Sequence, residues 1–373
     1  MFGTMTFVAC LSVLFSLGII LVNRGKPQQR NDVSALQSMH VRPTSRFGGL
    51  AVLAAYSSGL LFASATVNPL ILKVLICVAP VFLVGVYEDA GWRVTPRSRL
   101  LAAACSSLLT IFVYGSVIDR MGFFELGFEL EQQAIAVPLT VLALTGVSHS
   151  FNLLDGLHGL CGFTAAIIAV ALALISTQSG QIDLVGGLSL LVAALAGFLA
   201  LNFPRGLVFL GDAGATSIGF VLACMSVHIL YVQPDVAPWA LVLVFFWPIA
   251  DTLLSIARRL KRNRKATQPD RMHFHHIVMR AFEIMVLRKK NRVVSNPAAT
   301  MIMLPMIAAP SVVGVLFWNR DDFALTAAAV FAALFLATYG AIARRAKQRR
   351  RMFTPAVPKA MRTLYPLNRV KSK

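Results

Sequence analysis

A chain of 373 residues with 57% hydrophobic and only 14% charged residues is not an ordinary water-soluble domain, because average globular chains carry about 25% charged residues. The formal net charge of +19 would suit nucleic acid, but no aromatic-rich basic fold or groove reader is visible, so no nucleic-acid partner is expected. Five cysteines (10, 77, 105, 161 and 224) lie in or beside apolar segments without paired spacing; they exclude a disulfide framework and a thiolate metal site and read as small core residues.

Crossing a bilayer takes roughly 20 mostly apolar residues. Eleven segments approach that length: 7–22, 47–65, 69–86, 100–118, 134–147, 161–177, 184–202, 213–231, 236–257, 301–318 and 323–343. The segment 134–147 is short for a span. The first segment lacks a basic n-region, and its charges (Arg24, Lys26, Arg30) follow the apolar run. It therefore reads as a retained helix with its N-terminus outside, not as a signal peptide. With that start, every Lys and Arg except Lys73, Arg120 and Arg320 falls in an inner loop or in the C-terminal tail, and eight of the 16 acids fall outside. Basic excess on one side sets orientation, and basic residues near anionic headgroups each gain about 1 kcal/mol. The expected fold class is an all-α integral membrane protein, a polytopic bundle of about eleven transmembrane helices with a cytoplasmic C-terminus. Residues 1–343 form one membrane domain whose loop 258–299 serves substrate recognition, and 344–373 form a basic cytoplasmic tail.

Four polar stations end apolar segments, and the count places all of them on the inner face. The first is Glu88-Asp89, followed by Arg93, Arg97 and Arg99; paired carboxylates beside arginines suit a divalent cation or a proton, and equally an ion-paired helix end. The second runs Asn152-Leu153-Leu154-Asp155-Gly156-Leu157-His158-Gly159. Asn152 and Asp155 share a face on a helical turn, and the glycines admit a ligand or another helix closely. The third has Asn202, then Gly211-Asp212-Ala213-Gly214 at the start of the next span. A helix N-terminus there suits a phosphate, and Asp212 is also a natural helix cap. The fourth is Asp270-Arg271-Met272-His273-Phe274-His275-His276; histidines among arginines fit a phosphorylated substrate better than zinc, since the three lack helical ligand spacing and no cysteine is near. Asp251 lies near the inner end of its segment, a depth at which a carboxylate faces the bundle interior.

In this order the stations resemble the polyprenyl-phosphate N-acetylhexosamine-1-phosphate transferases of glycosyltransferase family 4, from about residue 32 to 318. His40-Val41-Arg42-Pro43-Thr44-Ser45-Arg46-Phe47-Gly48-Gly49 is similar to the family's His-x-x-Pro-Thr-Pro-Arg-x-Gly-Gly segment, and Asn152-to-Gly156 and Phe209-to-Gly214 match its Asn-x-x-Asp-Gly and Phe-x-Gly-Asp-x-Gly elements. The Asp270-to-His276 stretch is similar to the histidine motif of the O-antigen and common-antigen branch. There are departures: Glu88-Asp89 stands for Asp-Asp, Ser45 for the second proline, and His158 for the second aspartate of Asn-x-x-Asp-Gly-x-Asp-Gly.

The resemblance implies a bacterial inner-membrane enzyme that moves a sugar-1-phosphate from a UDP-N-acetylated sugar to polyprenyl phosphate, releasing UMP and initiating O-antigen or related envelope polysaccharide. It implies Mg2+, with Mn2+ as the alternative ion, held by Asp212 with Asp89 as second ligand. Glu88 is the expected base or positioner for the lipid phosphate. Asn152, Asp155 and Asn202 would position the nucleotide or sugar, with Arg46, His273, His275 and His276 on phosphates and His158 on substrate or metal. GlcNAc, QuiNAc and FucNAc donors all fit, and a homodimer is compatible with the chain. Two other readings stand beside this one. A transporter would place its polar groups nearer the bilayer midplane, and a CDP-alcohol phosphotransferase would need a longer aspartate series.

Overall fold

The computed structural model describes residues 2–23, 44–62, 67–122, 129–261 and 273–353. His40 to Pro43, the basic run 262–265, Asp270 and the tail beyond 353 lie outside them. Thirteen α-helices follow one another among the described residues, with no strand. They are α1 Phe2–Val22, α2 Gly48–Ser58, α3 Val67–Asp89, α4 Pro96–Tyr114, α5 Glu129–Leu154, α6 Leu160–Gln178, α7 Ile182–Asn202, α8 Gly211–Val232, α9 Pro238–Val244, α10 Phe246–Lys261, α11 Phe274–Phe282, α12 Arg292–Leu316 and α13 Asp321–Phe353.

Each of the eleven expected segments coincides with helix, but they are not eleven equal spans. Among the described residues, eight helices are long and apolar enough to cross a bilayer, and α9 with α10, bent by 78°, adds a ninth if the pair is one broken span. Two segments fall short: α2 has only 11 residues, and α4 opens on Pro96-Arg97-Ser98-Arg99. The bend between α9 and α10 lies at Phe245, before Pro248, whose ring removes a helical donor.

Three expected boundaries are corrected. The segment 134–147 extends on both sides into the 26-residue α5. Its polar end stays helical because the hydroxyls find carbonyls: Ser148 donates to Thr216 O at 2.9 Å and Ser150 to Val147 O at 2.7 Å. Helix α13 continues through 353, so residue 343 marks no structural break; the Arg- and Lys-rich continuation is made of good helix formers. The region 258–299 is not a simple loop. It holds the buried α11, a single π turn at Glu283–Leu287 and the start of α12.

Helix α8 is the axis of the bundle, buried along almost its whole length and packed by α5, α3, α2 and α6. Small residues explain how so many neighbours reach it, since helices approach closely in a membrane where side chains are absent. A Cβ on Gly49 would lie 2.1 Å from the Gly214 Cα, and one on Gly85 2.4 Å from the Ala213 Cα. These contacts pin the start of α2 and the last turns of α3 against the first turn of α8. That crossing point is where the acids meet.

Candidate active site

The site is built on the N-terminus of α8. Leu210 offers no side-chain cap there, so the free N–H groups find acceptors from other helices. Asp89, the last residue of α3, supplies two: Oδ1 accepts from Asp212 N at 3.0 Å and Oδ2 from Ala213 N at 2.8 Å. Asp155, just beyond α5, accepts from Gly211 N through Oδ2 at 3.1 Å. Burial pushes the Asp155 carboxyl up to about 6, against the pull of Arg46 and of that backbone donor. Gly211 sits at φ +74 with Arg46 O and the Asp89 carboxylate crowding the place of a side chain, so only glycine fits.

The 44–49 segment is stitched to the chain before α8. Phe209 N donates to Ser45 O at 2.8 Å, Gly48 N to Phe209 O at 2.8 Å, and Gly49 N to Leu210 O at 2.9 Å. This two-way lacing brings Arg46 Nη1 to 3.5 Å from Asp212 Oδ2. From the other side, Arg99 Nη1 lies 4.0 Å from Asp212 Oδ1 and 3.4 Å from the buried Glu88 Oε2. Thr95 caps α4 through Ser98 N at 3.1 Å, which sets the turn presenting Arg99. His149 of α5 lies close enough to feel the charges of Arg99 and Asp212.

The 155–159 turn is held from three directions. Asn202 accepts from Gly159 N at 2.6 Å through Oδ1 and donates to Val208 O at 2.5 Å through Nδ2. Its amide is thus bound into the fold at both ends and shapes two loops that border the acids. From α12, Asn296 accepts from His158 N at 2.7 Å and Thr300 donates to His158 O at 2.8 Å. His158 Nδ1 donates to Pro204 O at 2.7 Å. Burial pushes this imidazole down, opposed by that bond. A neutral ring protonated on Nδ1 has no second N–H to give a phosphate, and Nε2 packs over Gly206. His158 braces the turn through its backbone and Nδ1, while a ring protonated on Nδ1 keeps a lone pair on Nε2. Asn152 is half-buried in the last turn of α5.

His275 and His276 stand in the first turn of α11, and His273 is the residue just before it. Their rings cluster, with His275 and His276 centroids 4.1 Å apart and His273 stacked on His275 at 5.7 Å. His273 Nδ1 lies 2.9 Å from Asp251 Oδ2. The cluster abuts the second station: a Cβ on Gly156 would lie 2.8 Å from His275 Nε2 and 3.5 Å from His276 Cε1. His275 is 1% exposed, and neither ring nitrogen has a hydrogen-bond partner among the described residues. Burial and the two neighbouring histidines push it well below the ordinary imidazole value.

Acids from α3, α5 and α8 therefore meet around one helix end, faced by Arg46 and Arg99, with the histidines behind Gly156. Among the described residues, Glu88, Asp89, Asp155 and Asp212 share this helix end with Arg46 and Arg99. Among the described residues no three acid, histidine or cysteine groups form a ready metal cage. Mg2+ does not need one, since it binds through one or two carboxylates together with water and substrate phosphates. Asp212 fits such a role, and Asp89 retains lone pairs beyond those given to α8. The sequence already sets Arg99 beside the acid pair and Ser45 in the segment before α2, whereas nothing in it marks Asn296 and Thr300. Asn296 and Thr300 act through their side chains on the backbone of His158, and Ser45 through its carbonyl on Phe209 N.

The sequence model of glycosyl transferase family 4 matches residues 71–230, the stretch from α3 to α8 that contains Glu88, Asp89, Asp155 and Asp212. The chain is 26% identical over 252 residues to the probable undecaprenyl-phosphate N-acetylglucosaminyl 1-phosphate transferase of Bacillus subtilis, covering 66% of this chain and 69% of that protein. It is 31% identical over 275 residues to the decaprenyl-phosphate N-acetylglucosaminephosphotransferase of Mycobacterium tuberculosis (strain ATCC 25618 / H37Rv), covering 64% and 66%. Against the undecaprenyl-phosphate alpha-N-acetylglucosaminyl 1-phosphate transferase of Yersinia pestis it is 26% identical over 243 residues, covering 63% and 65%. The matches thus span about two thirds of the relatives' length. This chain is a multi-pass membrane protein and belongs to glycosyl transferase family 4.

Proposed function

We propose that the protein transfers a sugar-1-phosphate from a UDP-N-acetylated sugar to undecaprenyl or another polyprenyl phosphate at the cytoplasmic face of the bacterial inner membrane. The products are polyprenyl-diphosphate-sugar and UMP, the first step of an O-antigen or related envelope polysaccharide. The supporting observation is that Asp89 and Asp155 accept from three successive backbone N–H groups, 211 to 213, at the end of the membrane helix that carries Asp212. A phosphorylated lipid and a water-soluble nucleotide donor can meet only at such an end.

In net chemistry, an oxygen of the lipid phosphate bonds to the sugar-linked phosphorus as that phosphorus separates from the bridging oxygen, which UMP keeps. Little covalent work falls to the protein, so positioning and charge stabilisation dominate. Arg46 and Arg99 stand where phosphate oxygens would collect negative charge, and Asp212 lies between them. Glu88, held beside Arg99, would orient the lipid phosphate, while His273, His275 and His276 would meet the donor across Gly156. When bound, Mg2+, or Mn2+ in its place, would offset charge on the transferred phosphoryl group, with Asp212 and Asp89 as its protein ligands. The chain's three outer basic residues and the +19 charge fit the inner-face placement.

The test incubates the purified full chain in nanodiscs with polyprenyl phosphate and a panel of labelled UDP-sugars, with and without Mg2+. The expected result is cation-dependent UMP release with one preferred sugar recovered on the lipid. Solute flux across proteoliposomes without any UMP release would establish the transporter reading in its place.

A further inference from the structure

Asp251 lies in α10 just past the 78° bend and is 1% exposed, a depth at which a carboxylate needs all its partners. Its two oxygens have separate tasks. Oδ2 meets His273 Nδ1 at 2.9 Å, and Oδ1 accepts from Phe274 N at 2.9 Å. An ionised carboxylate only accepts, so the proton of the first contact sits on Nδ1. The bond made by one ring nitrogen decides what the other can offer. Phe274 N–H is the first donor of α11, so the same carboxylate places negative charge at the positive end of that helix.

Packing alone does not account for this arrangement. The start of α11 is already fastened by Phe274, which sits 4.9 Å from Trp247 and 5.1 Å from Phe335, ring to ring. An apolar pair of similar volume would join α10 to α11 as well as a buried Asp–His pair, or better. What the carboxylate adds is direction: a fixed ring plane and a fixed tautomer for the histidine that stacks on His275.

We propose that Asp251 is a positioning residue that acts through His273, fixing its Nδ1–H tautomer and docking the histidine cluster against the Asp155–Gly156 turn. The effect on turnover rests on the proposed transferase reaction; the tautomer does not. The probe is ring-15N NMR of histidine-labelled full chain in nanodiscs, with the His273 signals identified by their loss in His273→Gln. Wild type should carry the His273 proton on Nδ1. Asp251→Asn keeps the shape but should reverse the tautomer, as an amide beside an imidazole does. In the UMP-release assay, kcat/KM of Asp251→Asn should fall by about tenfold or more, the scale of losing an orienting partner. In the His273→Gln background the same change should cost less than about twofold, because its effect passes through His273. A wild-type His273 protonated on Nε2 would overturn the proposal whether or not the variant folds. So would an equal loss with and without His273. If wild type releases no UMP from any UDP-sugar, the transferase reading fails while the NMR result still decides the role of Asp251.

Discussion

Asp89 caps the helix that carries Asp212. Its two carboxylate oxygens take the N–H groups of Asp212 and Ala213 at 3.0 and 2.8 Å, so a residue at the end of α3 completes the start of α8. Asp212, one residue inside that helix, turns its own carboxylate to Arg46 and Arg99. The two acids are neighbours with different contacts: Asp89 completes the helix end, and Asp212 presents its carboxylate to the arginines.

That division predicts opposite signatures. Asp89→Ala leaves two N–H donors of α8 without their acceptor, a loss of about 1–3 kcal/mol for each group left buried and unsatisfied, and should lower the thermal unfolding midpoint in nanodiscs as well as activity. Asp212→Ala leaves the N–H groups of α8 capped and removes a carboxylate whose contacts with Arg46 and Arg99 are long, 3.5 and 4.0 Å, so it should lower the midpoint less, yet should abolish Mg2+-dependent UMP release. Comparable destabilisation by both variants, or near-normal turnover in Asp212→Ala, would contradict the assignment.

The contact between Gly49 and Gly214 sets the geometry of the 44–49 lacing. A Cβ at either position would meet the other's backbone, 2.1 Å away for Gly49 and 2.5 Å for Gly214. Gly49→Ala should therefore push α2 off α8, draw Arg46 away from Asp212, and cost about 1–3 kcal/mol, the usual range for overpacking. Gly146→Ala in α5, where a Cβ meets nothing within 4 Å, is the matched control and should be neutral or gain about 0.5–1 kcal/mol. Unfolding midpoints of the two variants decide the point, and equal values would remove the close crossing from the account.

His275 should make the protein sensitive to acid. Its folded-state value lies well below the ordinary one because of burial and its two histidine neighbours, while in the unfolded chain it protonates near about 6.5. Above that pH the ring is neutral in both states and contributes no slope. As pH falls below about 6.5, the unfolded state binds a proton that the folded state resists, so stability is lost progressively toward the depressed folded value. His275→Phe should flatten unfolding curves measured from pH 7.5 down to 5 and, by removing two unpartnered nitrogens, should leave the protein as stable as wild type or more so at pH 7.5. The same variant should lose donor turnover. A slope unchanged by the substitution would assign the acid sensitivity to other groups.

The helical, membrane-embedded character was legible because a long apolar run can satisfy its backbone only as helix when water is absent, and that constraint is local. Three of the polar stations were legible for the same reason, since Asp89, Asp155 and Asp212 interrupt or end apolar runs where a polar group stands out. Hydropathy misjudged α5 and α13, whose polar or basic ends stay helical, and α11, which it took for loop. Of the eleven expected segments, eight or nine lie, among the described residues, on helices long and apolar enough to cross a bilayer, while helix α2 has 11 residues.

By itself the sequence determined which residues are exceptional: acids and histidines placed where apolar side chains would be cheaper. Only the tertiary structure decided what each does. The capping of α8 by Asp89, the locking of Asn202 between Gly159 and Val208, and the Asp251–His273 pair join residues 123, 43 and 22 positions apart. No local propensity encodes such partners. They follow from small residues that let α2, α3 and α8 cross at one point, and from the requirement that each donor and acceptor buried there find a mate.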